Sequence, residues 1–247
     1  MQIGPDDWLA ERLGWAVFKV VVEAGAVDRA ALLAHSRGQR RALYYAKVPT
    51  LAVETVAALT GVGFRVIDVS VTFDRWADGR DDLPAAGPVV VQPAEPAHFP
   101  ALLDIAQSCF VYSRFHLDPA IPQAAADAVK RAWIESYTQG RRGDRLWAAL
   151  AEGRPAGFLA ALVTTHRDQP CAVLDLIGVS REYQERGVGR ALTTAFIRHY
   201  GACYAPEGVR LRVGTQAANI PSVRLYESFG FRLAETAYVL HWHVNRA

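Results

Sequence analysis

The chain is poor in cysteine. Cys109, Cys171 and Cys203 are its three cysteines, far apart, and no C-x-x-C pair occurs. That spacing suggests neither a zinc knuckle nor a disulfide framework, and free thiols fit a reducing compartment. An excess of charge is also missing. The 27 Lys plus Arg against 25 Asp plus Glu leave +2, too balanced to predict bulk attraction to nucleic acid or a membrane surface. No apolar run approaches the ~18 residues that a membrane span needs. The most apolar stretches, such as 155–165, have the length of a strand or a short helix. The segment Met1 to Asp7 is acidic and lacks the basic start of a signal peptide. The expectation is a soluble cytoplasmic protein with no nucleic-acid or membrane partner.

What is present is ordinary globular material. Hydrophobic residues make up 51% and charged residues 21% of 247 positions, which excludes a disordered chain. Such a length buries a sizeable core without disulfides or metal. At ~150 residues per domain it amounts to about one and a half domains.

The pattern along the chain alternates. Residues 6–13 read as a helix, 15–23 as a Val-rich strand, and Asp28 as the N-cap of a helix running to Ser36. Strand-like 42–48 ends at Pro49, helical spacing returns over 53–59, and 64–76 alternates as a half-buried strand. Residues 77–88, rich in Asp, Gly and Pro, read as a linker. The boundary is placed there, between a smaller N-terminal α/β domain (1–83) and a second domain (84–247). In the second domain 89–92 is a short strand, 99–110 and 124–137 are helices, and 112–122 is an irregular loop between them. The hairpin 146–150/156–165 and the apolar strand 171–179 follow. Helix 188–200, strand 210–216, helix 220–229 and strand 232–243 complete the chain. This order predicts an α+β (α/β mixed) fold, a mixed sheet flanked by helices. Gly63-Phe64-Arg65 is echoed by Gly230-Phe231-Arg232, with Val56 and Val223 seven residues upstream of each Gly. The echo is either a common helix corner or the trace of a duplicated unit whose first copy is truncated and non-catalytic.

The chemistry concentrates in Leu174 to Arg190. A buried strand ends at Val179, a polar loop follows, and Gln184-Glu185-Arg186-Gly187-Val188-Gly189 opens a helix. Glycines where the backbone turns into a helix leave N–H groups free at its positive end, an anion site suited to pyrophosphate. Arg186 and Arg190 add charge. The Walker pattern G-x-x-x-x-G-K-[ST] is absent. A dinucleotide fingerprint would need Gly or Ala where Leu192 stands, and Glu207 lies in a loop rather than at a strand end.

Gln184, Gly187 and Gly189 fit a loop [QR]-x-x-G-x-[GA], and Asn219 to Phe231 fits N-x-x-[AS]-x-x-x-Y-x-x-x-G-F. The chain therefore resembles the GNAT superfamily of N-acetyltransferases over roughly residues 88 to 243. The resemblance implies acetyl-CoA as co-substrate, held between a splayed strand at 171–179 and its neighbour at 210–216. The main-chain N–H groups of Ile177, Gly178 and Val179 would pair with pantetheine and polarise the thioester carbonyl. The loop Gln184 to Arg190, Val188 included, would hold the pyrophosphate. Asn219 would bond pantetheine, or simply cap the next helix, or both. Tyr226 would protonate the leaving thiolate, with a core tyrosine as the alternative. Asp175, the one carboxylate within 171–179, is the candidate general base. The alternatives are a salt-bridged or exposed strand residue, with a water relay as base. His241 and His243 share one strand face but lack a third ligand, so no metal is expected. They read as surface or acceptor-pocket residues.

A closer resemblance is to the bacterial dTDP-fucosamine acetyltransferases, carried by residues 109–115, 211–216 and 235–240. It implies an extra N-terminal α/β unit and a nucleotide-linked amino sugar as acceptor. Arg114 would then grip an anion or fix its loop, while Phe115 or Trp133 stacks on a base or sugar face. The loop continues His116-Leu117-Asp118-Pro119, a departure from that group. The expected activity is acetyl transfer to a primary amine of a small molecule. The alternatives are a non-catalytic CoA-binding or interaction module, or acetylation of an amino acid, polyamine or antibiotic, and a homodimer could form through the C-terminal strand.

Overall fold

The computed structural model describes residues 1–22, 27–83 and 87–246. The elements alternate much as the periodicities imply. They are β1 (Gln2–Pro5), α1 (Asp7–Leu13), β2 (Ala16–Val21), α2 (Arg29–Arg37), β3 (Arg41–Pro49), α3 (Val53–Thr60) and β4 (Arg65–Ala77) in the first third. Then come β5 (Val90–Pro93), α4 (Phe99–Ser108), α5 (Gln123–Thr138), β6 (Arg145–Ala151), β7 (Arg154–His166), β8 (Gln169–Val179), α6 (Val188–Cys203), β9 (Val209–Gln216), α7 (Ile220–Ser228) and β10 (Arg232–Asn245). The caps are where the sequence puts them. Asp6 accepts from the Leu9 N–H, Asp28 from the Ala31 N–H and Asn219 from the Ser222 N–H, satisfying N–H groups that an α-helix leaves open. Glu23 and residues 84–86 of the expected strand and linker lie outside the described residues.

All ten strands form one mixed sheet in the order β1-β2-β3-β10-β4-β9-β8-β7-β6-β5. The alternation of side chains assigns its two faces. On β7, Leu159 and Ala161 enter one core with α6 and Tyr226 of α7, while Phe158 and Ala160 enter another with α4 and α5. On β3, Tyr44 and Ala46 pack with Leu32 of α2 and Leu59 of α3, while Leu43 packs with Leu9 of α1 and Val129 of α5. Helices α2, α3, α6 and α7 therefore cover one face, and α1, α4 and α5 the other.

The centre of the sheet explains the Gly-Phe-Arg echo. Setting Gly63 on Gly230 sets Ser70 on Ala237, and these two residues face each other across β4 and β10. Ser70 pairs with Gln216 and Thr72 with Gly214. Their counterparts, Ala237 and Val239, pair with Pro49 and Lys47, which are the counterparts of Gln216 and Gly214. Even the irregularities match. Ile67 of β4 and Ala234 of β10 are equivalent, and each is the extra residue of a bulge. A local twofold axis through the Ser70–Ala237 pair thus relates β3-α3-β4 to β9-α7-β10. A common helix corner would not reproduce pairing and bulges residue by residue; a duplicated unit would.

The two units exchange strands. β10 lies between β3 and β4, and β4 lies between β10 and β9. The division expected at 83/84 is therefore a boundary in chain order only, since strand pairing runs across it. β4, read as half-buried, is a central strand. β10 is paired on both sides, so it has no free edge through which a second copy could add. The free edges are those of β1 and β5.

The loop between α4 and α5 is fastened to this centre. One oxygen of Asp118, which is 2% exposed, accepts from His241 Nδ1 at 2.6 Å and from His243 Nε2 at 2.7 Å. The other accepts from the Ala120 N–H. Burial works to raise the Asp118 pKa, but the two histidines and the Ala120 N–H outweigh it and hold it well below the usual carboxylate range. The histidines are thus a loop clamp, with His241 fully buried, rather than surface or acceptor-pocket residues. Asp118→Ala should cost about 2–3 kcal/mol in urea unfolding, the range for hydrogen bonds to a buried charge. Because the folded pKa is lowered, this stabilisation is present above the ordinary carboxylate pKa and fades as pH falls below it. The gap between wild type and variant should narrow in acid.

Candidate active site

The site begins with an interruption in two ladders. Parallel β8 and β9 pair from Cys171/Arg210 to Leu174/Val213 and no further. At the same point β8 bulges against β7. Ala161 pairs with Leu174 and Ala160 with Leu176, leaving Asp175 as the extra residue. A bulge bends its strand, and here β8 turns away from β9. Beyond it β8 stays bonded to β7 as far as Val179, and β9 to β4 as far as Gln216. The edges facing each other across the gap are therefore open. A cavity of about 730 Å³ occupies the wedge, lined on one side by Ile177, Gly178 and Val179 and on the other by Gly214 to Gln216.

The loop before α6 closes one end. Glu185 has φ 63° and Gly187 φ 83°. These left-handed residues alternate with others, which turns successive N–H groups inward into an anion-binding concavity. No side chain caps α6, so its first N–H groups remain available to a ligand. Gln184, Glu185, Gly187, Val188, Gly189 and Arg190 all line the cavity. A Cβ on Gly187 would meet nothing within 4 Å, so the glycine is required by its φ rather than by crowding. Arg186 does not join the wall. It is exposed, with its guanidinium over the Tyr183 ring at 5.7 Å. Its positive charge, expected from sequence to support the anion loop, stands outside the cavity lining.

Asp175 is not placed as a free base. Its Oδ2 accepts from Trp133 Nε1 at 2.8 Å, Tyr137 Oη at 2.8 Å and Arg142 Nε at 2.7 Å, and its Oδ1 accepts from a second Arg142 nitrogen at 2.9 Å. Burial tends to raise its pKa, yet Arg142 and Trp133 reverse this and leave it lowered. A carboxylate so bound is a weak proton acceptor. Its position on the bulge makes it an anchor, tying the bend in β8 to α5 and the Arg142 segment. Trp133 faces the cavity as expected but spends its one donor on this anchor.

Arg114 and Phe115 also line the cavity. The Arg114 guanidinium lies over Tyr45 at 4.1 Å and Phe115 at 4.6 Å. Tyr45 comes from β3, so the N-terminal unit forms part of this end. Asn219 lines the wedge, but both its polar atoms are engaged, Oδ1 as the cap of α7 and Nδ2 on Thr215 Oγ1 at 3.1 Å. Tyr226 is 2% exposed, lies between Phe73 and Phe231, and reaches the cavity. Burial pushes its phenol well above the ordinary value, with Ser222 opposing. It therefore keeps its proton at neutral pH.

Residues 99–231 match the Acetyltransferase (GNAT) family. The chain belongs to that family. Among curated GNAT relatives, dTDP-fucosamine acetyltransferase of Escherichia coli O6:H1 is 25% identical over 92% of this chain and 90% of its own. Spore coat polysaccharide biosynthesis protein SpsD of Bacillus subtilis is 29% identical over 60% of this chain. The match spans about half of SpsD, 49% of its length. The fold is also that of a tandem GNAT protein from the clavulanic acid biosynthesis pathway, with a TM-score of 0.61 at 18% identity over 95% of this chain and 77% of that one. No described helix is long and apolar enough to cross a membrane.

Two groups carried no local signal, Lys130 in the cavity wall and Asp68 outside it. Lys130 of α5, given no role within the helix read over 124–137, lines the cavity. Asp68 of β4 is buried, with Oδ2 lacking a partner among the described residues. Burial raises its pKa to about 6, with the Val69 N–H, Gln216 of the cavity wall and the Lys47 charge pulling the other way. A buried Asp in a strand was the available clue. The loop geometry itself can be tested. Gly187→Ala must hold a left-handed φ at a cost of about 1–2 kcal/mol, to be read as that loss in urea unfolding or, where the loop relaxes out of the left-handed region, as acetyl-CoA binding weakened about tenfold in calorimetry.

Proposed function

We propose that the chain transfers the acetyl group of acetyl-CoA to a primary amine of a small molecule, by direct attack in a ternary complex. A nucleotide-linked amino sugar is the leading acceptor class. The observation that carries this is the wedge, with an uncapped phosphate loop at one end, open strand N–H groups along it and a protonated Tyr226 on its wall. Pyrophosphate would sit on the N–H groups of Gly187 to Arg190, and pantetheine would pair with the free edge of β8. The likeness to dTDP-fucosamine acetyltransferase over 92% of the chain supports the sugar acceptor.

The amine nitrogen attacks the thioester carbon, and N–H groups within 177–179 receive the developing oxyanion. As the C–S bond breaks, Tyr226 gives its proton to the thiolate. Burial keeps the phenol protonated at neutral pH, so it faces the sulfur as a hydrogen-bond donor, and transfer of its proton must work against the raised pKa. The proton lost by the amine leaves through water past Gln216 of the cavity wall to Asp68, which lies outside the lining beside Gln216, since Asp175 is occupied by Arg142, Trp133 and Tyr137.

A thiol-release assay with acetyl-CoA and a panel of amines, nucleotide amino sugars included, tests the reading. CoA binding without acetylation of any amine would sink it in favour of a binding module. Tyr226→Phe should lower kcat about a hundredfold while the calorimetric Kd for acetyl-CoA stays put; turnover at the wild-type rate would end the proton-donor role. Asp68 acts as an acceptor only when ionised. With its pKa raised to about 6, kcat/KM should climb as pH rises through that value. Asp68→Asn should erase this limb, and Asp175→Asn should leave its position alone.

A further inference from the structure

One buried cation in the cavity has no assigned task. Lys130 is 7% exposed, and its ammonium forms no hydrogen bond or ion pair with any described residue. Its neighbours are ring faces, Phe110 at 4.8 Å and Trp133 at 5.1 Å. Ring faces attract a cation but accept none of its three N–H bonds in the manner of an oxygen. Burial pulls its pKa down to about 8, and Arg114 adds to this while Cys109 and Asp175 oppose.

The charges around it do not balance. Arg142 already neutralises Asp175 through a two-pronged ion pair. Arg114 lines the same end of the cavity on its bed of Tyr45 and Phe115. Asp6, which accepts from Tyr45, does not reach the cavity wall, and Glu185 belongs to the phosphate loop at the other end. The charge of Asp6 acts on Arg114 and that of Asp175 on Lys130, but Asp6 bonds Tyr45 and Asp175 is already paired with Arg142, so neither carboxylate is bonded to either cation. The place is also close to the reacting centre. A Cβ on Gly178 would stand 2.9 Å from Cys109 Sγ, and Cys109 feels the Lys130 charge.

We propose that Lys130, with Arg114, forms a subsite for a carboxylate or phosphate carried by the amine acceptor, and that this anion selects which amines are acetylated. The proposal rests on the acetyl-transfer reading above. An acceptor oxyanion would supply the hydrogen-bond acceptors that the ammonium lacks. It would also quiet the repulsion between the two cations, so the empty site is costlier than the filled one. An uncharged amine gains neither effect.

Matched acceptors test this with the whole chain and acetyl-CoA. One pair is an α-amino acid and its amide; the other is an amino-sugar phosphate and the free amino sugar. Wild type should favour the charged member of at least one pair by about tenfold or more in kcat/KM, as expected when a buried charge finds its partner. The pair that responds tells carboxylate from phosphate. In Lys130→Met the ratio should collapse toward one, with the affinity for acetyl-CoA serving as the check of folding. Equal turnover of charged and neutral members by wild type overturns the subsite while leaving acetyl transfer standing, and needs no variant. Equal loss of both members in Lys130→Met also overturns it, making Lys130 a proton-transfer or structural residue. Failure to acetylate any amine overturns the acetyl-transfer reading, and the subsite with it.

Discussion

Four hydrogen bonds to one carboxylate hold the site open. Asp175 is the extra residue of the β8 bulge, and Arg142, Trp133 and Tyr137 fix it from the α5 side of the sheet. The bulge ends the β8–β9 ladder, and the missing rungs become a cavity whose walls carry unused backbone donors and acceptors. The same interruption aims β8 at the loop before α6, so the anion-binding N–H groups stand at the mouth of the wedge. Without the bend, β8 and β9 would zip together as parallel strands do, and there would be no room for a ligand between them.

Around this opening the molecule sorts its charges by chemistry. Negative charge is welcomed at the α6 N-terminus by backbone dipoles and at the opposite end by side-chain cations. Between them the wall holds neutral groups, with the Tyr226 phenol among aromatic rings and the Asp175 carboxylate already matched. The N-terminal unit takes part in this. Tyr45 lies under Arg114, and Trp8 meets Trp133 edge-on at 5.9 Å. What began as surplus length is one wall of the acceptor end.

Much of this was legible in the sequence. Helix caps at Asp6, Asp28 and Asn219 are local events, decided by a side chain three residues from its target. The glycine loop and the following helix are equally local. The strand order was not legible, because period-two alternation tells which way a side chain points and never which strand lies next door. Phe64 to Trp76 was thus legible as a half-buried strand, with no sign that its neighbours are β9 and β10. The bulge at Asp175 was hidden for a related reason: it exists only as a mismatch between two ladders, so alternation placed Asp175 on the face of Val173 and Ile177 and made it a base. Lys130 looked like one more helical lysine, since its burial comes from Phe110, Trp133 and the far side of the cavity. The pairing of Asp118 with His241 and His243 joins residues more than a hundred positions apart, beyond the reach of any spacing rule.

The insertion of β10 between β3 and β4 has a consequence in time. Synthesis delivers β3 and β4 long before β10; β3 then lacks a partner on one edge, and β4 on both until β9 is made. The bonds of nine β10 residues to β3, Ala237 to Asn245, are absent until that strand arrives, and the hydrophobic cluster around Leu240 and Val244 is incomplete as well. The N-terminal unit is thus a half-built surface through most of translation, waiting for its central strand from the far end of the chain. Because β10 pairs with β3 and β4, and β4 with β9, the hydrogen bonding of the two units is shared and completes only when the last strand is made.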